Sequence, residues 1–448
     1  MSKLDITLFR KDESLFYVKI FVMTTYLLFY GSPILSVTPL APLYTIMTYI
    51  IVGILVPFGF VYVFDKVFIK KRFSTIDGLV VLMSLFTFYC AITSNAVFGQ
   101  PILKGIFVAG KTYLPIISIF FLYYLLKTET ITMYQYNFSM LTICWINLVL
   151  YILLMYTINP ALYKDTDLVG FNPSKGGYVF NFPPSFIVYG LFYYFIDYTL
   201  NKNRFSLLLS FILIAYILFL DKGRIQFIAV MGALALHTIW FLPVKSIFLR
   251  LFDILVFAGS MLLIVYFINE DLLLVVYNMF MVFAEAILGI ETGESSADAR
   301  WIEIGAVLSH FDKHPGQWFF GVGFIPRDEL WLRFGYLYFT DIGIFGILFV
   351  FGIIGTILLF LFFLYPAFVL YKIKSFKYDL IFNTIIASVF YLLVTSVFTG
   401  GFAFAPVSVL SIFMVLEYYK QKDDKILKVK NWRKHEQQTT LTNTDPAI

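Results

Sequence analysis

Apolar residues recur along this chain in unbroken runs of about 20, the number a helix needs to cross the roughly 30 Å hydrocarbon core of a bilayer. The runs lie at roughly 20–39, 44–64, 78–98, 105–126, 137–157, 184–200, 205–220, 225–243, 250–268, 337–365, 378–398 and 402–419, which predicts twelve spans. A transmembrane β-barrel is excluded, because its strands would alternate apolar and polar residues over about ten positions. Composition excludes an ordinary water-facing domain: of 448 residues 60% are hydrophobic and only 14% charged, with mean hydropathy +0.84. Abundant Phe and Tyr exclude a disordered chain, and two cysteines exclude a disulfide scaffold. The expected fold is therefore all-α, a polytopic transmembrane helical bundle.

Basic residues orient it, since Lys and Arg in short loops stay on the cytoplasmic side during insertion. With the N-terminus inside, 23 of the 33 Lys and Arg fall in cytoplasmic segments, among them Lys66, Lys70, Lys71 and Arg72 in one loop and seven between Lys420 and Lys434. The other ten are Lys104, Lys111, Lys164, Lys175, Lys222, Arg224, Arg300, Lys313, Arg327 and Arg333. Both termini are then cytoplasmic, and the net charge of +5 reflects this bias and attraction to anionic lipid, not nucleic-acid binding. Residues 1–419 form one transmembrane domain with a large external loop at 269–336, and 420–448 is a basic cytoplasmic tail expected to be disordered. Cys90 and Cys144 fall within spans as small apolar residues. There is no repeated block and no pair of broken helices in matching halves, the pattern of many transporters.

The external loop has internal structure. In SSADARWIEIGAVLSHFDKHPG, Ser295 with Asp298 can open a helix and His314-Pro315-Gly316 would end it. Trp301, Ile304, Leu308 and Phe311 form an apolar stripe expected to face the bundle, and Arg300, Glu303, His310 and His314 line a neighbouring one, which as a bare pattern is also an ordinary solvated face. Arg224 in DKGRIQF starts a span and Asp341 in FTDIGIFG is expected one turn into another; charges at helix ends in a membrane are functional candidates, with snorkelling and dipole compensation as the plainer readings. Lys111 lies deeper, in GIFVAGKTYLP. Lys175-Gly176-Gly177-Tyr178 and Gly321-Val322-Gly323 would let backbone N–H groups approach an anion, although plain turns explain both. Four histidines without an HExxH spacing give no metal site; His310 and His314 alone have zinc-like spacing.

The order of these features, DKGR opening a span, the loop SSADARWIEIGAVLSHFDKHPGQWFFGVGF, then the glycine-patterned helix TDIGIFGILFVFGIIG, resembles the bacterial O-antigen polymerase and O-antigen ligase superfamily. The match covers about 220–360, and the rest of the chain only as span number. Ligases carry a His near the outer start of the helix after the long loop, whereas this chain has Thr340-Asp341 there and no His from 315 to 434, so polymerase is favoured.

The resemblance implies a GT-C-like fold in the bacterial inner membrane. It implies a metal- and cofactor-independent glycosyltransferase that joins undecaprenyl-pyrophosphate-linked oligosaccharide repeat units into O-antigen, capsule or exopolysaccharide. Its partners would be the polyprenyl-pyrophosphate-linked donor and acceptor, the bilayer, a chain-length regulator and a flippase. Arg224 and Arg300 align with the family's basic positions, and a guanidinium fork suits the departing pyrophosphate. Asp341 is the first candidate base, followed by Glu303 and His314; Lys111, Lys175, Tyr178, Arg327 and Arg333 complete the candidate substrate-binding set. The alternatives are a ligase or another lipid-linked glycosyltransferase, and a transporter or flippase. A flippase would carry several charges inside its helices, whereas here they gather at outer loops and helix ends.

Overall fold

The computed structural model describes residues 13–442 apart from short gaps and from 242–294, where only isolated positions are described. Among the described residues the regular structure is helical except for one two-stranded hairpin, β1 (Val169–Asn172) paired antiparallel with β2 (Gly177–Phe180). Five described helical stretches are long and apolar enough to cross a membrane: 41–69, 75–98, 102–127, 133–157 and 344–370. Four shorter apolar helices begin at Leu15, Arg204, Ile225 and Leu380. Of the run at 250–268 only isolated positions are described.

In chain order the helices are α1 (Glu13–Gly31), α2 (Ala41–Phe64), α3 (Thr75–Phe98), α4 (Ile102–Tyr113), α5 (Ile119–Lys127), α6 (Met133–Thr157), α7 (Ser185–Asn201), α8 (Arg204–Ala215) and α9 (Arg224–Phe241). After the gap come α10 (Ser295–Lys313), α11 (Gln317–Phe320), α12 (Arg327–Phe334), α13 (Ile344–Lys372), α14 (Leu380–Phe398) and α15 (Pro406–Thr442). Local chemistry sets several ends. Ser74 and Thr132 open α3 and α6 through capping boxes with Asp77 and Gln135, and Gly99, in the left-handed region, closes α3. The tail expected to be disordered after Lys420 instead continues α15 to Thr442, because no Gly or Pro interrupts that polar stretch before Pro446.

One end of the bundle is tied by a buried polar network. Lys66, on the π-turn Asp65–Ile69 that prolongs α2, is buried, so it is not the loop charge its sequence position suggests. Its ammonium donates to both carboxylate oxygens of Asp77 at 2.8 and 2.7 Å and lies 4.9 and 5.1 Å from the ring centres of Tyr62 and Tyr123. Asp77 also accepts the Ser74 amide. From Tyr123 the chain of bonds runs to Gln421, from Gln421 to Glu417 at 3.0 Å, and from the Tyr365 hydroxyl to Glu417. This level joins α2, α3, α5, α13 and α15; the segments between α10 and α13 pack towards the other end of α3 and α13.

There, α13 is broken. Gly352 has φ +63° and ψ −175° inside the helix, which frees the carbonyls of Phe349 and Val350. The extended segment after α11 fills the break: Val322 N–H donates to Phe349 O and Gly323 N–H to Val350 O, both at 2.9 Å. The Tyr89 hydroxyl on α3 lies 2.8 Å from both Phe320 O and Phe351 O, and Gln100 Nε2 donates to Phe324 O at 3.1 Å. Cβ atoms on Gly321 or Gly352 would come within 2.6 Å of the opposing backbone, so glycine is required at both. The GVG motif is thus a backbone clamp, and the amides it might have offered an anion are already committed to carbonyls.

Candidate functional site

Helix α10 spans Ser295–Lys313 and stops at His314-Pro315-Gly316, with Asp298 in its first turn and Lys313 in its last, where each suits the helix dipole. Its buried face differs from the expected one. Glu303, Val307 and Phe311 point inward, whereas Trp301 is 46% exposed. Phe311 packs on Trp318, with ring centres 4.3 Å apart, and lies 6.2 Å from Phe349 of α13. Of the expected stripe, Phe311 is buried and Ile304 packs against the core, and Glu303 is held there by the segment ahead of α13, whose Tyr338 N–H reaches Glu303 Oε1 at 3.2 Å.

Glu303 is only 8% exposed, and its second oxygen, Oε2, is buried with no hydrogen-bond partner among the described residues. Burial pushes its carboxyl up to about 7; the Tyr338 N–H opposes this, Asp341 adds to it, and Arg300, one turn back on α10, opposes it. Glu303, Arg300, Asp341 and the Tyr338 amide therefore form one electrostatic group at the loop end of α13.

Asp341 is not one turn into a helix. It lies in the turn before α13, whose cap is Gly343 with φ +55°, and it is exposed. The Thr340 hydroxyl lies 3.1 Å from its Oδ1, and its own N–H donates to Tyr338 O. The helix starts late because this turn folds back on it: a Cβ at Gly346 would lie 1.7 Å from Phe339 O.

The remaining candidates are dispersed. His314 is exposed at the end of α10, its ring 4.9 Å from that of His310, which is half-buried and bonded through Nε2 to Gln317 Oε1. Burial lowers the His310 pKa. Among the described residues no group of three or more His, Cys, Asp or Glu could hold a metal ion. Arg333 on α12 covers the Phe98 ring at 4.8 Å, and Glu329 pairs with Lys104. Lys111 is exposed on α4, and Tyr178 is exposed on β2 opposite Phe171. Arg224 is the first residue of α9; its side chain, like those of Lys175 and Arg327, lies outside the described residues. No sequence signal marks the Tyr338 amide, a main-chain group with no side-chain signature, or Tyr89, one tyrosine among 31.

A carboxyl poised to gain or lose a proton near neutrality, half-bonded, beside a guanidinium and at the end of a span, suits proton transfer to or from a bound molecule. Fold and site together define a helical membrane protein with an ionisable cluster carried on a loop helix. No protein-family model matches the chain, and no curated protein and no solved structure matches it.

Proposed function

We propose that the chain is a polysaccharide polymerase: a metal-independent membrane glycosyltransferase of GT-C type, with twelve spans, in the bacterial inner membrane. Both termini are cytoplasmic and the 269–336 loop external, as the distribution of Lys and Arg favours. Its substrates are polyprenyl-pyrophosphate-linked oligosaccharides. An acceptor sugar hydroxyl attacks the anomeric carbon of the growing glycan, and the bond from that carbon to the pyrophosphate oxygen breaks. The electron pair leaves with polyprenyl pyrophosphate, and the hydroxyl proton passes to a carboxylate.

The observation that carries this reading is the unpartnered Oε2 of buried Glu303. A base must hold the proton it takes, and burial raises this carboxyl towards neutrality while Asp341 stays exposed. Glu303 is therefore the proposed base. Arg300 is assigned to the leaving pyrophosphate, with Arg224 as its partner from the resemblance, and Asp341 tunes Glu303 by its charge.

The test is transfer by purified protein in lipid, scored as polymer on a gel from a lipid-linked repeat unit. Glu303→Gln should lower the rate by about 100-fold or more, the usual scale for a lost general base. Arg300→Lys should also fall strongly, because charge remains but the bidentate fork is lost. Full activity of Glu303→Gln with loss in Asp341→Asn would return the role to Asp341. No polymer from the unaltered protein, together with flux of the lipid-linked unit across vesicles, would favour a transporter.

A further inference from the structure

The external loop holds two exposed apolar surfaces at different depths. Ile302 sits on α10 beside Glu303, at the level of Tyr338 and beyond the end of α13. Phe319 and Phe320, 55% and 54% exposed, belong to α11, which leads into the break at Gly352.

Two helices fix the depth of that break independently. On α3, twelve residues separate Asp77, at the opposite polar level, from Tyr89, whose hydroxyl meets Phe320 O. At 1.5 Å per residue this is about 18 Å. On α13, thirteen residues separate Tyr365, bonded to Glu417 at that same polar level, from Gly352, or about 20 Å. A hydrocarbon core of about 30 Å leaves roughly 10 Å still to cross beyond Phe320. The way out agrees. Tyr89 lies nine residues, about 14 Å, short of the end of α3 at Phe98. The extended chain from Phe320 to Phe324 climbs about 13 Å to reach Gln100, just past that end.

We infer that residues 314–325 form a re-entrant segment of the membrane domain, and that Phe319 and Phe320 face the hydrocarbon chains of bilayer lipid. The backbone meets the condition that irregular structure at membrane depth must satisfy, since 321–323 are buried and their N–H groups have protein acceptors in Gln317, Phe349 and Val350. The occupant is lipid because the two exposed phenylalanines adjoin α13 at its break, where Phe319 O lies against Gly352, and the residues that follow on α13, Ile353, Ile354 and Ile357, are also uncovered. An exposed Phe pair facing water would lack this continuity. The inference needs only a membrane setting, not the proposed chemistry.

The test uses the full chain in lipid nanodiscs, where both faces are accessible, with a nitroxide at Phe319→Cys, Phe320→Cys, Ile354→Cys or Ile302→Cys. Cys90 and Cys144 are buried, and the parent protein measures their background. The ratio of collisions with oxygen to collisions with a water-soluble nickel chelate should match Ile354→Cys at both phenylalanine positions and exceed Ile302→Cys several-fold. Ratios at 319 and 320 equal to that at 302 would overturn the inference. The same variants, treated before labelling with an impermeant maleimide, should react at 302 in nanodiscs but at 319 and 320 only in detergent. Reaction at all three in nanodiscs would count against it, and the two neighbouring positions guard against one variant failing to fold.

Discussion

Two buried carboxylates, one at each end of the bundle, are treated in opposite ways. Asp77 is 1% exposed and fully used: Lys66 bonds both oxygens, the Ser74 amide adds a third bond, and two tyrosine rings flank the ammonium. Glu303 is nearly as buried, yet one oxygen holds a single backbone donor and the other holds nothing. A saturated carboxylate fixes geometry and has no capacity for a ligand. A half-saturated one carries a desolvation cost that only a bound proton or a bound partner relieves. The contrast separates the part of the molecule that holds helices together from the part that can take part in chemistry.

The largest effect expected is at the saturated pair. Asp77→Asn strands the Lys66 ammonium in a dry site and should cost about 3–5 kcal/mol, read as a lower thermal midpoint of the detergent-purified protein. A midpoint near the parent's would mean that the pair does not anchor that end of the bundle. Next is the clamp, where Gly352→Ala forces a side chain into a left-handed conformation against the opposing backbone. It should cost about 1–3 kcal/mol and, unlike Asp77→Asn, should speed hydrogen exchange locally at Val322 and Gly323. Uniform acceleration across the bundle would break the distinction.

The smallest change in stability, and the most informative in sign, is at Glu303. The folded state binds this proton more tightly than the ordinary value of 4.5 allows, so the stability that Glu303 contributes falls as pH rises from about 4.5 to about 7. Glu303→Gln should flatten that slope and leave the midpoint at pH 8 unchanged or higher. Transfer by the parent should run the other way, rising with pH through about 7 as the base ionises. A Glu303→Gln protein that melts as early as Asp77→Asn would make both carboxylates structural.

The sequence shows some of this and hides the rest for identifiable reasons. Several apolar runs and the His314-Pro315-Gly316 stop are local signals, and among the described residues helices cover the runs at 44–64, 78–98 and 137–157 and end at that stop. The bond that holds Glu303 is not local, since its donor is the Tyr338 amide, 35 residues away in the chain. Nor is the duty of the GVG motif, which reads as a turn until Gly352 supplies two free carbonyls for it. Lys66 counts as a loop charge by position, and only the approach of α3 and α5 turns it into a buried one. At the candidate site helical spacing alone pairs Arg300 with Glu303, whereas the order of merit between Glu303 and Asp341 depends on burial, which spacing does not report.

The broken helix also constrains biogenesis. The carbonyls of Phe349 and Val350 find their partners in residues 322–323, and the hydroxyl that braces both sides belongs to Tyr89. Residues 322–323 and Tyr89 are synthesised before α13, so the receiving surface on α3 and the inserting segment both exist when α13 leaves the ribosome. Entering lipid alone, α13 would have to remain straight or expose unpaired carbonyls at several kcal/mol each. Docking the loop and breaking the helix are thus one event, and it comes late in the making of the protein.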